Sequence, residues 1–208
     1  PFKKGPDYID PLWLTRATGR NCHNLDFHTM SDKEIRQVFA SRGQSADMSL
    51  IEGNKGLHDS VDVEGRFSNA SLANLVGAPV LLVIDTRGVT RGIAALLHGL
   101  VQFDPSVVFA GVILNRIGGE RHEAKLRAAI ERYTDLAVLG AMPEHQALAI
   151  PEAHIGLVPA NETGESEQII ERAAAVANDH LDLGRIVASG SRTRLPTVEP
   201  SERGPAPQ

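Results

Sequence analysis

The residues of this 208-residue chain that could do chemistry gather first near its beginning. In Lys3-Lys4-Gly5-Pro6-Asp7-Tyr8-Ile9-Asp10-Pro11, two lysines precede a Gly-Pro turn and two carboxylates follow it. A lysine ammonium is a compact charge suited to phosphate or carboxylate. A turn-held aspartate can help to hold Mg²⁺, an ion that takes few protein ligands and keeps several waters. The same residues also read as a Pro-Asp turn running into an Asp-Pro helix start. A second group is Glu52-Gly53-Asn54-Lys55-Gly56-Leu57-His58-Asp59. A glutamate closes a short apolar stretch there, and glycines on either side of Asn54-Lys55 let backbone approach a ligand closely. Its purely structural reading is a strand-to-turn connection with solvated charges.

Weaker signals follow. Asp85-Thr86-Arg87-Gly88 precedes Thr90-Arg91-Gly92. An acid at a strand end could join an ion site or cap the next helix, and Thr90 reads as a cap. Asn115 ends another apolar run, where its amide could read a base edge or simply serve a turn. His122 beside Arg121 reads as surface, and Cys22 as a small buried hydrophobe. The sequence contains no Gly-x-x-x-x-Gly-Lys-Ser/Thr phosphate loop, no His-Glu-x-x-His and no Cys-x-x-Cys. It therefore carries no evident phosphate cradle and no evident zinc site.

These residues need elements to place them. Pro79–Asp85 and Val107–Asn115 are continuous apolar runs of strand length, the pattern of strands buried on both faces. Met48–Glu52 and Ala137–Ala141 are shorter runs of the same kind. Helical spacing appears in Ser68–Leu75, Thr90–Val101, Glu120–Tyr133 and Glu165–Leu181. Alternating strands and helices predict βα units and a parallel sheet, with ligands beyond the carboxyl ends of the strands. Glu52, Asp85 and Asn115 close such strands.

Composition sets outer bounds. A 42% hydrophobic, 23% charged chain of this length supports one ordinary core. The net charge of −5 argues against nucleic acid as a main partner. A single cysteine excludes an intramolecular disulfide and fits a reducing, cytoplasmic setting. No apolar run is long enough to span a bilayer, so no membrane partner is expected. Pro1 reads as part of an element already under way, and 184–208, rich in Pro, Ser, Gly and Arg, reads as a linker or disordered tail.

Taken together, the Lys3–Pro11 segment, Asn24-Leu25-Asp26, Glu52-Gly-x-x-Gly56-Leu-x-Asp59, Ser68-Asn69-Ala70-x-Leu72-Ala73, Gly111-Val-Ile-Leu-Asn115-Arg116 and Gly156–Glu162 resemble the cobyrinic acid a,c-diamide synthase family. The resemblance implies a dethiobiotin-synthetase-like, P-loop-type α/β fold: a mostly parallel sheet flanked by helices. It assigns 1–183 to a partial ATP-dependent amidoligase (synthetase) domain. The family's first strand and phosphate loop would lie upstream of Pro1, and a glutamine amidotransferase domain downstream of the tail. Both would then be missing from this sequence, or from the gene product itself.

The implied reaction is ATP-dependent amidation of peripheral carboxylates of a tetrapyrrole through an acyl phosphate. ATP and Mg²⁺ would be required, with ammonia derived from glutamine. Asp7, Glu52 and Asp59 would carry catalysis, Asp7 and Glu52 also holding Mg²⁺. Tyr8, Ile9 and Lys55 would bind the macrocycle, and Lys3, Lys4 and Asn115 the nucleotide. Asn54-Lys55 departs from the small residue and Met usual in the corrin enzymes. Together with Ser68-Asn69-Ala70 it resembles relatives associated with dissimilatory sulfite reductase, thought to amidate sirohaem. Two other classes compete: a P-loop partitioning ATPase, which would carry a Walker loop, and a non-catalytic macrocycle-binding module, which would not need Asp7, Glu52 and Asp59.

Overall fold

A computed structural model describes residues 1–144, 148, 152–153, 156–157, 159–161 and 164–190. The strands are β1 (Phe2–Lys4), β2 (His23–Leu25), β3 (Ile51–Glu52), β4 (Val80–Asp85), β5 (Phe109–Ile117), β6 (Val138–Pro143), β7 (Glu152–Ala153) and β8 (Gly156–Leu157). The helices are α1 (Ile9–Thr18), α2 (Asp32–Gly43), α3 (Asn69–Val76), α4 (Gly92–Phe103), α5 (Glu120–Tyr133), α6 (Ser166–His180) and α7 (Leu183–Gly190). The predicted α/β class holds, in the form of two separate three-stranded parallel sheets rather than one. Their orders are β2-β1-β3 and β4-β5-β6, with β7-β8 a small antiparallel pair. Among the described residues, no strand pairs with the second edge of β3 or of β4.

Each sheet has its own core. In the second, Val112 and Leu114 of β5 pack with Ile93 and Leu97 of α4 and with Leu126 and Ile130 of α5, all fully buried. Burial on both faces explains why β5 reads as a continuous apolar run. In the first, Phe2 and Leu25 meet Ile35 and Phe39 of α2 and Leu72 and Val76 of α3. A third, smaller cluster joins Trp13 of α1 to Ala160 and Ile169.

Local chemistry sets the helix starts. Ser31 and Glu34 form a reciprocal capping box that begins α2, and Ser68 caps α3 by accepting from the Ser71 amide. The expected cap at Thr90 is not formed. The N-cap of α4 is Arg91, without a side-chain bond, and Thr90 instead offers its carbonyl to the Ile93 amide. The expected tail at 184–208 opens with a helix, α7, whose Ile186 amide bonds to the Asp182 carbonyl. Residues 191–208 lie outside the described residues, as do Val158 and Glu162 of the Gly156–Glu162 motif. No helix among the described residues is long and apolar enough to cross a membrane.

The two kinds of stabilisation should separate by magnitude. Leu114→Ala empties a fully buried site and is expected to cost about 3 kcal/mol, whereas Ser31→Ala, which removes one half of the capping box, should cost about 1 kcal/mol. Urea midpoints of the two variants check the order. Equal losses would show that Leu114 is not in a close-packed core.

Candidate active site

Parallel pairing places Asn24, Lys3 and Glu52 opposite one another, because Lys3 is in register with Asn24 of β2 and Glu52 of β3. Partners in register share a sheet face, so this row lies across the carboxyl end of the first sheet. The Lys3 side chain is only 5% exposed. Its ammonium lies 2.8 Å from Asp10 Oδ2, 3.7 Å from Glu52 Oε1 and 3.9 Å from Asp7 Oδ2. Three carboxylates from two other chain segments thus surround one buried cation.

The start of α1 supplies two of the acids. Asp7 Oδ1 accepts from the Ile9 and Asp10 amides, at 2.9 and 3.2 Å, and so caps the helix. Its other oxygen is the one near Lys3. One Asp7 oxygen thus makes the expected turn into the helix, and the other faces the Lys3 ammonium. The Asn24 amide donates to the Asp7 carbonyl at 2.7 Å and tightens the same turn. Asn24 Oδ1 is buried without a hydrogen-bond partner among the described residues.

Burial alone would lower the pKa of the Lys3 ammonium. The hydrogen bond to Asp10 and the charges of Glu52, Asp10 and Asp7 outweigh it, and the net direction is upward. Burial pushes the Glu52 carboxyl above its ordinary value; Lys3 opposes this, and Asp10 and Asp7 add to it. With all groups ionised, three carboxylates against one ammonium leave a net charge of −2.

The other expected site residues are distributed around this cluster. Lys4, next along β1, is absent from these ion pairs; burial lowers its pKa, with the charge of Asp26 opposing. Asp26 is itself buried and spent on local turns, accepting from the His28 amide and the Thr29 hydroxyl. Tyr8 is 69% exposed, whereas Ile9 packs against the Trp13 cluster. Lys55 and Asp59 are exposed on the loop that follows β3.

That loop is tightly held. Asn69 bonds to Asn54 and Gly56, and Leu57 packs against the core of the second sheet. His58 Nε2 lies 2.9 Å from the Leu100 carbonyl of α4. Gly56 has φ +83, and a Cβ there would strike the Asp59 carboxylate, so the loop needs glycine at this point.

Asn115 lies at the carboxyl end of the second sheet, in register with Asp85. Arg87 and Arg116 both pair with Asp85 and hold its carboxyl far below the usual carboxylate range. The buried Thr86 hydroxyl bonds to the Asn115 and Arg116 carbonyls, steadying Arg116 at an unusual φ of +59. His122 is more than surface: its Nδ1 accepts from the Gly118 amide at 2.9 Å, so Nε2 carries the proton and donates to the Val89 carbonyl at 2.6 Å. It ties the loop after β4 to the loop after β5.

Among the described residues no three His, Cys, Asp or Glu side chains form a metal cage. The open cavity lined by Gly77, Pro79, Val108, Phe109, Leu139 and Arg185 lies at the amino ends of the second sheet's strands, away from the Lys3 cluster.

The structure brings together Lys3, Asp7 and Glu52, which sequence reasoning singled out, with Asp10, which it quoted in the same segment without assigning a role; Asn24 and Asn69 were given no role. Asp10 was signalled by its spacing from Asp7, one helical turn away. Asn24 and Asn69 lay within quoted motifs, yet their contacts are long-range and left no local signal.

A family model described as an AAA domain matches residues 22–152. The chain belongs to this family. Along its length it is also homologous to cobyrinate a,c-diamide synthases: 43% identical to that of Magnetococcus marinus over 210 residues, covering 100% of this chain. It is 41% identical to that of Listeria monocytogenes over 204 residues, 97% of this chain. The hydrogenobyrinate a,c-diamide synthase of Brucella anthropi is 42% identical over 195 residues, 93% of this chain. The chain spans 45%, 45% and 44% of the lengths of these relatives.

The upward shift of Glu52 makes a signed prediction. A carboxyl whose folded pKa is raised favours the fold below its ordinary value of 4.5, and that contribution is lost as pH rises through the raised value. Without added metal, Glu52→Gln should therefore raise Tm at pH 7 by about 1–3 °C, a small gain because the side chain is 44% exposed and partly screened by solvent. The gain should vanish near pH 4. Thermal melts across this range check it, and a lower Tm at pH 7 would show that Glu52 is a net stabilising partner of Lys3.

Proposed function

We propose that this chain is the synthetase part of an ATP-dependent enzyme that converts peripheral carboxylates of a tetrapyrrole into amides. The observation that carries the reading is the buried Lys3 ammonium ringed by Asp7, Asp10 and Glu52 at the carboxyl end of a parallel sheet. The relatives' names, cobyrinate and hydrogenobyrinate a,c-diamide synthase, supply the substrate class.

The reaction proposed has two steps. A substrate carboxylate oxygen attacks the γ-phosphorus of ATP, forming an acyl phosphate as ADP leaves. Ammonia derived from glutamine then attacks the acyl carbon, phosphate departs, and the nitrogen loses a proton. Catalysis of this kind rests on positioning and charge neutralisation. Lys3 places a fixed cation where transferred phosphoryl or substrate carboxylate oxygens would meet it, and its raised pKa keeps it charged. Asp10 holds the Lys3 ammonium in place at 2.8 Å.

The net negative charge of the cluster fits a divalent cation. The carboxylates of Glu52 and Asp7 would hold it, with water and phosphate completing the shell. When bound, Mg²⁺ neutralises charge on the phosphates. Asp59 would order the loop after Glu52, Tyr8, Ile9 and Lys55 would flank the macrocycle, and Lys4 and Asn115 would contribute to the nucleotide side.

Asp7→Asn and Glu52→Gln are expected to lower amide formation at least about a hundredfold without unfolding the protein. Product mass spectrometry in saturating Mg²⁺, with circular dichroism as the folding control, checks this. Near-normal turnover in both variants would place the chemistry elsewhere.

A second reading of the substrate has its own observation. Lys55, exposed and without an ion-pair partner among the described residues, suits a macrocycle rich in carboxylates such as sirohaem. On this reading the protein amidates a sirohaem-type macrocycle at least as well as a corrin, and Lys55→Met shifts preference toward the corrin. Parallel assays on both substrates decide: amidation of cobyrinate alone leaves the corrin reading.

A further inference from the structure

Asn69 is the first residue of α3, yet its side chain works on another loop. Its Nδ2 donates to the Asn54 carbonyl at 2.8 Å and to the Gly56 carbonyl at 2.7 Å. Its Oδ1 accepts from the Asn54 amide at 3.0 Å. One side-chain amide thus satisfies both backbone groups of Asn54, as a neighbouring β-strand would, and reaches one residue further. Both amide protons and the carbonyl oxygen are used, which no other side chain of this length can reproduce: aspartate lacks the donors, and serine or threonine lacks the reach.

The surroundings are built for this clamp. A Cβ on Gly53 would lie 2.7 Å from Asn69 Oδ1, so a bare Cα there is what lets the amide approach. Gly56 supplies the left-handed turn that brings its carbonyl to the same amide. Ser68 caps α3 through the Ser71 amide, so the helix start does not depend on Asn69.

Lys55 stands between the two clamped residues. Its flanking peptide groups are fixed from outside the loop, while its side chain is exposed and makes no ion pair with any described residue. Lys55 is thus an exposed cation without an ion-pair partner among the described residues, on a braced stretch three residues from Glu52 in sequence.

We propose that Asn69 is the positioning residue that aims Lys55 at a non-reacting carboxylate of the substrate, and so sets which polycarboxylate is accepted. This rests on the amidoligase reading above. Without the clamp the loop samples more conformations, and binding carries the cost of ordering it. The loss therefore falls on binding of the macrocycle rather than on the phosphoryl-transfer step.

The test uses the full-length protein with Asn69→Ala, Asn69→Asp, Lys55→Met and the Asn69→Ala/Lys55→Met pair. Asn69→Asp keeps an oxygen for the Asn54 amide and sets a second against two carbonyls, so it serves if Asn69→Ala does not fold. The KM for the macrocycle should rise about tenfold in either Asn69 variant, with kcat changed less than about threefold and the KM for ATP unmoved. Lys55→Met in the Asn69→Ala background should add almost nothing, since the charge is no longer aimed. Native-state hydrogen exchange at the Asn54 amide should quicken about tenfold or more.

Unchanged exchange at Asn54 overturns the clamp. Quickened exchange with an unchanged macrocycle KM, or additive effects of the two substitutions, overturns the positioning role. A wild-type protein that amidates no tetrapyrrole overturns the amidoligase reading and the substrate role of Asn69 with it, while the exchange arm still reports on the clamp by itself.

Discussion

A lysine ammonium held out of water at the carboxyl end of β1 is the constraint around which the first half of this protein is arranged. Removing such a charge from solvent costs several kcal/mol unless oppositely charged groups meet it with good geometry. Here the partners come from the start of α1 and from β3, while the backbone around Lys3 is fixed by pairing with β2 and β3. Moving any of these elements would leave either the ammonium or a carboxylate short of its counter-charge. Asp7 shows the economy of the arrangement, since one oxygen begins the helix and the other faces the cation.

The loop after β3 couples this site to the rest of the fold. Leu57 packs on the second sheet's core, His58 reaches the Leu100 carbonyl of α4, and Asn69 braces the stretch between. On the far side, Thr86 and His122 hold the ends of β4 and β5 together through buried or half-buried hydrogen bonds. Both regions are loops made rigid by side chain-to-backbone bonds. Such loops keep polar groups at defined positions without the regular ladder of a sheet.

The carboxylate excess around Lys3 runs against stability. Each acid supports the ammonium, but burial raises the Glu52 carboxyl above its ordinary value, and repulsion from Asp10 and Asp7 adds to the rise. Sites meant to receive a cation or a charged substrate tolerate such imbalance because the ligand completes it. A purely structural ion pair would be balanced, whereas this cluster carries two carboxylates more than it has ammonium groups.

Much of this was legible in the sequence. The continuous apolar runs gave β4 and β5, helical spacing gave α3 to α6, and Glu120–Tyr133 matches α5 end to end. Lys3, Asp7 and Glu52 stood out because charge next to glycine and proline is a local signal. Strands β1 and β2, three residues each, are too short to carry a period, and the Ser31–Glu34 capping box that opens α2 went unread although the signal was present. The division into two sheets, the turning of Lys3 rather than Lys4 into the cluster, and the reach of Asn24 and Asn69 across chain segments were decided only by the tertiary structure. Strand register and side-chain direction depend on which segments pair, and no run of neighbouring residues encodes a contact made 15 positions away.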